Sequence, residues 1–253
     1  MTLSRLPKAF LVFYALASSH IHATHLSKCA KAVALTEAKV LKDDFTADKD
    51  AADFRASFGV SFMDRARQIR SHGGVWADLG ARRALPQIEE LDRGVAENTL
   101  FIAVSRSVEA GIHQELSKLE DERKNNFKFL TGDLKDEKLL KEKSLDLATD
   151  FLGAFAYDSR PDLILANYLR ALKDDGLLFL RFIPSENYVE VRGKKLKLSE
   201  WLETIPGISV TTIHNGAYQI SISDRSAIRI PQLEVKEWLA HKSPPIRQFR
   251  QVD

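Results

Sequence analysis

Apolar and polar positions fall into short blocks along the chain. Apolar runs at 75–79, 99–104, 127–130, 144–149 and 177–183 are the length of buried strands and predict five of them. The stretches between them, 85–91, 108–122, 134–142 and 161–172, carry apolar residues at helical spacing or mixed Lys and Glu, and predict helices. In the last of these, Leu163, Ile164, Asn167, Tyr168 and Ala171 recur at helical spacing, and Pro161 suits a first turn. Residues 173–176 read as a turn. Upstream, 24–70 is helical and polar, with Phe54, Phe58, Phe62, Arg65 and Ile69 close to one face. Downstream, 188–191 and 194–198 predict a small hairpin at the upper edge of the sheet, and 199–205 a short helix. Two strands at 208–214 and 217–223 meet at Asn215-Gly216, a strong hairpin signal. From 230 on, Pro231, Pro244 and Pro245 among scattered basic residues predict a loosely held tail.

Five alternating strand and helix units followed by an antiparallel hairpin form a restrictive order. Right-handed crossovers place helices on both faces of one sheet. The expected architecture is α/β: a doubly wound, mostly parallel seven-stranded sheet with an N-terminal helical cap. The expected divisions are 1–23, 24–72 (the cap), 73–229 (the sheet domain) and 230–253 (the tail).

Composition adds limits. The 253 residues are 44% hydrophobic and 28% charged, ordinary for a globular chain, and suffice for one sizeable core. Basic and acidic residues number 37 and 35, a net charge of +2, so charge gives no reason to expect nucleic acid or a membrane surface as partner. A single cysteine, Cys29, excludes an intrachain disulfide and a cysteine-based zinc site. The first 23 residues stand apart. Arg5 and Lys8 precede an uncharged apolar run over 9–17, and Ser18, Ser19 and Ala23 follow. That pattern is a secretory signal peptide, with a mature start near His20 or Thr24 and a place outside the cytoplasm; a buried N-terminal helix is the alternative. No other segment is long and apolar enough to span a bilayer.

Candidate chemistry sits at the predicted strand ends, which line the crevice in a doubly wound sheet. Asp78 ends the first strand and is a site residue or a helix cap, and Gly80 follows in the turn. Asp133 and Asp150 close the third and fourth strands, each readable as a cap or as a site carboxylate. Tyr157 and Asn167 reach toward the same mouth, Tyr157 with packing as its plainer role. His20, His22 and His25 cluster on one segment without a preorganised metal geometry, so no metal is expected. Arg192, Lys194, Lys195 and Lys197 read as a solvated hairpin, lacking the aromatic interleaving of a nucleic-acid surface. The turn after the first strand lacks Gly-x-Gly-x-x-Gly, which disfavours a nicotinamide cofactor.

The order of elements together with these motifs resembles the class I S-adenosylmethionine-dependent methyltransferases, a Rossmann-like family, over roughly 54–223. Asp78-Leu79-Gly80-Ala81 is similar to the family's first motif, Asp/Glu-x-Gly-x-Gly. The segment 129–133, ending in Asp133, is similar to the one whose acidic residue faces adenine. The segment 145–150 is similar to the strand that ends beside the methyl acceptor, and 169–179 resembles the leader helix, turn and apolar strand of the family. The resemblance implies S-adenosylmethionine as cofactor, held by Asp78, Gly80, Ala81, Arg82, Ser105 and Asp133. It implies Asp150 and Tyr157 on the acceptor side and methyl transfer to an acceptor the sequence leaves unnamed; a protein partner belongs to the alternative reading below. Two departures are specific. Arg82 stands where the motif has glycine, and Ser105 followed by Arg106 stands where the family has a ribose-binding carboxylate. Arg82 either obstructs the ligand or pairs with its methionine carboxylate. An exported, cofactor-free binding module is the alternative reading of the whole chain.

Overall fold

A computed structural model describes residues 49–107, 110–183, 187–214, 216–239 and 246–252. The expected signal segment, the three clustered histidines, Cys29 and all of 24–48 lie outside the described residues. Helix α1, Ala51–His72, opens on a capping box in which the side chains of Asp50 and Asp53 each accept from the other's backbone amide. It bends at Gly59, whose φ of 68° only glycine adopts cheaply. One face, Phe54, Phe58, Phe62, Ala66 and Ile69, is buried. It packs on one face of the sheet, where Phe62 meets Trp76 edge-on at 5.4 Å and Phe54 stacks on Phe151 at 5.2 Å. The cap is therefore a covering helix.

The large sheet contains β1 (Gly74–Leu79), β2 (Thr99–Ser105), β3 (Phe127–Thr131), β4 (Leu145–Phe151), β5 (Leu172–Arg181), β8 (Ile208–His214) and β9 (Ala217–Ile222). Their order is β3-β2-β1-β4-β5-β9-β8. The first five run parallel and β9 inserts antiparallel beside β5. The central strands are apolar on both sides because helices cover both faces. Between β1 and β2 lies α2 (Leu85–Asp92), between β2 and β3 α3 (Ala110–Ser117) and α4 (Asp121–Lys124), and between β4 and β5 α5 (Ala154–Tyr157) and α6 (Pro161–Ala171).

Three local expectations change. Residues 134–142 form turns, not a helix, because Asp133 and Asp136 accept from the amides of Lys135 and Lys138 at 2.9 Å, local bonds that compete with helix formation. Residues 173–176 form a bulge inside β5, since Leu145 pairs with Leu172 and Leu147 with Leu177. The segment from 230 on is built into a second sheet. Its strands are β6 (Asn187–Val191), β7 (Lys194–Lys197), β10 (Gln232–Leu239) and β11 (Ile246–Val252), in the order β10-β11-β6-β7, with β11 parallel to β6. The small hairpin thus belongs to this sheet and not to the edge of the large one. Leu233, Val189 and Phe249 turn inward onto α7 (Leu198–Glu203) and the main core.

Candidate functional site

The strand order reverses between β1 and β4, which opens a crevice at their carboxyl ends. Asp78 and Thr149 are register partners there. The indole nitrogen of Trp76 donates to the Thr149 hydroxyl at 3.0 Å, and that hydroxyl donates to Asp78 Oδ1 at 2.9 Å. Burial pushes the Asp78 carboxyl up to about 7; the Thr149 bond opposes this and the nearby Asp150 adds to it. Gly80 has φ 94°, and a side chain there would meet the Gly153 Cα at 2.8 Å. The space its missing Cβ leaves is filled by the loop that follows β4. Arg82 is half-buried in ordinary backbone conformation, and the left-handed residue of this turn is Ala84, with φ 53°. Ala81 packs with Ala84, Ala103 and Ile112.

Asp150 and Tyr157, the acceptor-side candidates, both lie in the interior. Asp150 is fully buried, and Gly153 N (2.7 Å), Phe155 N (2.9 Å) and the Tyr168 hydroxyl (2.7 Å) all donate to its carboxylate. Both oxygens are therefore occupied by the chain itself. Burial raises its pKa to about 6, with these donors and Arg247 opposing. Tyr157 is buried in the main core, and Asn167 holds the Leu134 carbonyl at 2.9 Å. Asp133 is exposed and anchors its own turn. Ser105 ends β2 and its carbonyl accepts from Gly132 N at 3.0 Å.

Asp158, which the sequence reading passed over, gathers the mouth. Its side chain is 1% exposed and accepts from Arg106 Nη2 at 2.5 Å, from Lys135 Nζ and from Arg160 N. Arg106 follows β2, Lys135 follows β3 and Asp158 lies beyond β4, so one carboxylate ties together strand ends on both sides of β1. Arg247 of β11, fully buried, holds the same loop from beneath: it donates to the carbonyls of Asp158 at 2.5 Å and Phe155 at 3.2 Å and to Asn187 Oδ1 at 2.7 Å. The sequence signal for this cluster was Arg106 itself, a cation immediately after a strand where a carboxylate was expected.

Five parallel strands in the order 3-2-1-4-5, closed by an antiparallel hairpin strand next to β5, decide the architecture. The chain has the class I methyltransferase fold. No family model and no curated protein matches it. Solved structures similar to it include a methyltransferase from Geobacter sulfurreducens, at 12% identity over 75% of this chain and 87% of that one, TM-score 0.47. Others are the [4+2]-cyclase SpnF (18% identity, 59% and 50%, TM-score 0.41) and a geranyl diphosphate methyltransferase in complex with its substrate and sinefungin (13%, 51% and 44%, TM-score 0.37). The match thus spans less than half the length of the last.

Set against the cofactor of this fold, the residues do not fit. A ribose diol finds a neutral Ser105 hydroxyl in place of a carboxylate, followed by Arg106, already committed to Asp158. Among the described residues no group of three His, Cys, Asp or Glu is placed to hold a metal, and no helix is long and apolar enough to cross a membrane.

Proposed function

We propose that this protein is a methyltransferase-fold binding module that has given up S-adenosylmethionine. The observation that carries the reading is Asp158, buried and bonded to Arg106 across the end of β1. Ser105, neutral where the resemblance implies a ribose-binding carboxylate, supports it. The basic, apolar, small-residue pattern over 5–23 supports export, which would separate the protein from a cytosolic cofactor. Calorimetric titration of S-adenosylmethionine and S-adenosylhomocysteine into the protein tests the proposal. The expected result is no saturable heat at millimolar ligand. Micromolar binding would overturn it.

One observation favours a second reading, methyl transfer to a small-molecule or protein acceptor. Arg106 is 38% exposed, and Asp158 keeps Lys135 and the Arg160 amide as donors when the arginine turns to solvent. A crevice opened there would present Asp78, Gly80, Ala81, Arg82, Ser105 and Asp133 to the cofactor. The same titration separates the two readings.

A further inference from the structure

Both faces of a doubly wound sheet are ordinarily covered by helices. The face opposite α1 is not, where β3 hands over to β4. Because 132–144 runs as turns, a groove of about 820 Å³ remains beside it. Its floor is aliphatic: Val75, Leu100, Ile102 and Leu130 come from three adjacent strands, and Val75, Leu100 and Leu130 are only half-buried. Leu139 stands in the facing wall.

The rim is charged. Lys128, Lys138, Lys141 and Arg170 line the groove, against Glu137 and Glu142. None of these four cations forms an ion pair with a described residue; the Arg170 guanidinium donates only to the main-chain carbonyls of Glu137 and Leu140. A half-exposed aliphatic floor under a rim of four cations and two carboxylates, net positive, is complementary to one chemistry. The chain's own N-terminal stretch is a poor match, since residues 1–48 are net basic, with Arg5, Lys8, Lys28, Lys31, Lys39 and Lys42 against Glu37, Asp43, Asp44 and Asp48.

We propose that this groove binds a single-chain amphiphile with an anionic head, an alkyl carboxylate of the fatty-acid class. The tail lies along Val75, Leu100, Ile102 and Leu130, and the head meets Lys128 and its basic neighbours. The volume is within the range of small-molecule sites, roughly 300–1,000 Å³. Affinity should grow about fourfold per added methylene, the factor for burying one CH₂.

The test is calorimetry on the full chain with sodium dodecanoate below its micellar concentration, with octanoate and dodecyltrimethylammonium as comparisons. Dodecanoate should bind saturably, octanoate more than tenfold weaker, and the cationic amphiphile about tenfold weaker or worse. Lys128→Glu lies on an exposed edge-strand position and Lys138→Glu/Lys141→Glu on an exposed turn; each should weaken dodecanoate about tenfold with an unchanged circular dichroism spectrum. No saturable binding, equal binding of the two opposite charges, or affinity indifferent to both variants would overturn the proposal.

Discussion

Arg106 Nη2 and Asp158 Oδ2 lie 2.5 Å apart although they follow strands on opposite sides of β1. The arginine is partly exposed and the aspartate is not, so the two ends of the bond differ in what their loss costs. Arg106→Ala should lower stability by about 1 kcal/mol, because Lys135 and the Arg160 amide still serve Asp158. Asp158→Ala should cost about 3 kcal/mol, since it strips the shared partner from all three donors. Urea unfolding of both variants measures the difference.

Asp78 makes stability depend on pH. The folded chain keeps its proton up to about pH 7, whereas an ordinary aspartate releases it near 3.8. Across that window the native state holds more protons, so this residue's contribution falls as pH rises and levels off above 7. Asp78→Asn retains an oxygen for Thr149 and removes the buried charge. It should match the parent near pH 4 and exceed it at pH 8 by about 2–4 kcal/mol. A variant less stable at pH 8 would contradict this.

The neighbouring substitution should act in the opposite direction. Asp150 accepts on both oxygens, from two amides and a hydroxyl. An asparagine there must point its NH₂ at one of those donors. Asp150→Asn should therefore destabilise by about 2–3 kcal/mol at neutral pH despite losing a buried charge. Tyr168→Phe should lose about 1 kcal/mol. Thermal unfolding at pH 7 compares the pair.

Gly80 and Gly153 are close-packed against each other. Gly80→Ala sets a Cβ 2.8 Å from the Gly153 Cα and places alanine at φ 94°, while Gly153→Ala sets one 2.6 Å from the Leu79 carbonyl. The Gly80 Cβ meets only backbone, and the Gly153 Cβ meets the Leu79 carbonyl together with Asp150 Oδ1 at 2.7 Å, an oxygen already bonded to the Gly153 amide. Each variant should lose more than about 2 kcal/mol, read from the denaturant midpoint.

Arg247 is a buried cation satisfied by two carbonyls and an amide oxygen. Arg247→Ala should cost about 3–5 kcal/mol, and Arg247→Lys should recover only part, because an ammonium does not span a fork of three acceptors. Hydrogen exchange should quicken at the amides of 153–158 in both variants.

The parallel strands were legible because burial on both faces leaves an uninterrupted apolar signature, as in Phe101 to Val104. The closing hairpin was legible from Asn215-Gly216, a pair that tolerates the positive φ of a tight turn, with Asn215 itself outside the described residues. Residues 134–142 misled because mixed Lys and Glu favour helix in isolation, while Asp133 and Asp136 capture the amides that a helix needs. β11 was hidden by Arg247. An inward-facing arginine breaks the alternation that would have marked the strand, and only the distant carbonyls of Phe155 and Asp158 explain it. The site was legible at Asp78 and Gly80, which local motifs fix, and not at Asp158, whose role depends on side chains from three other segments.

The pairing of Arg247 with Asp158 joins residues 89 apart in sequence. During synthesis the loop after β4 leaves the ribosome well before the strand that secures it. Until β11 arrives and lies down beside β6, the carbonyls of Phe155 and Asp158 lack their shared donor and the mouth of the crevice has no floor. The strand nearest the end of the described chain therefore secures a loop laid down far earlier.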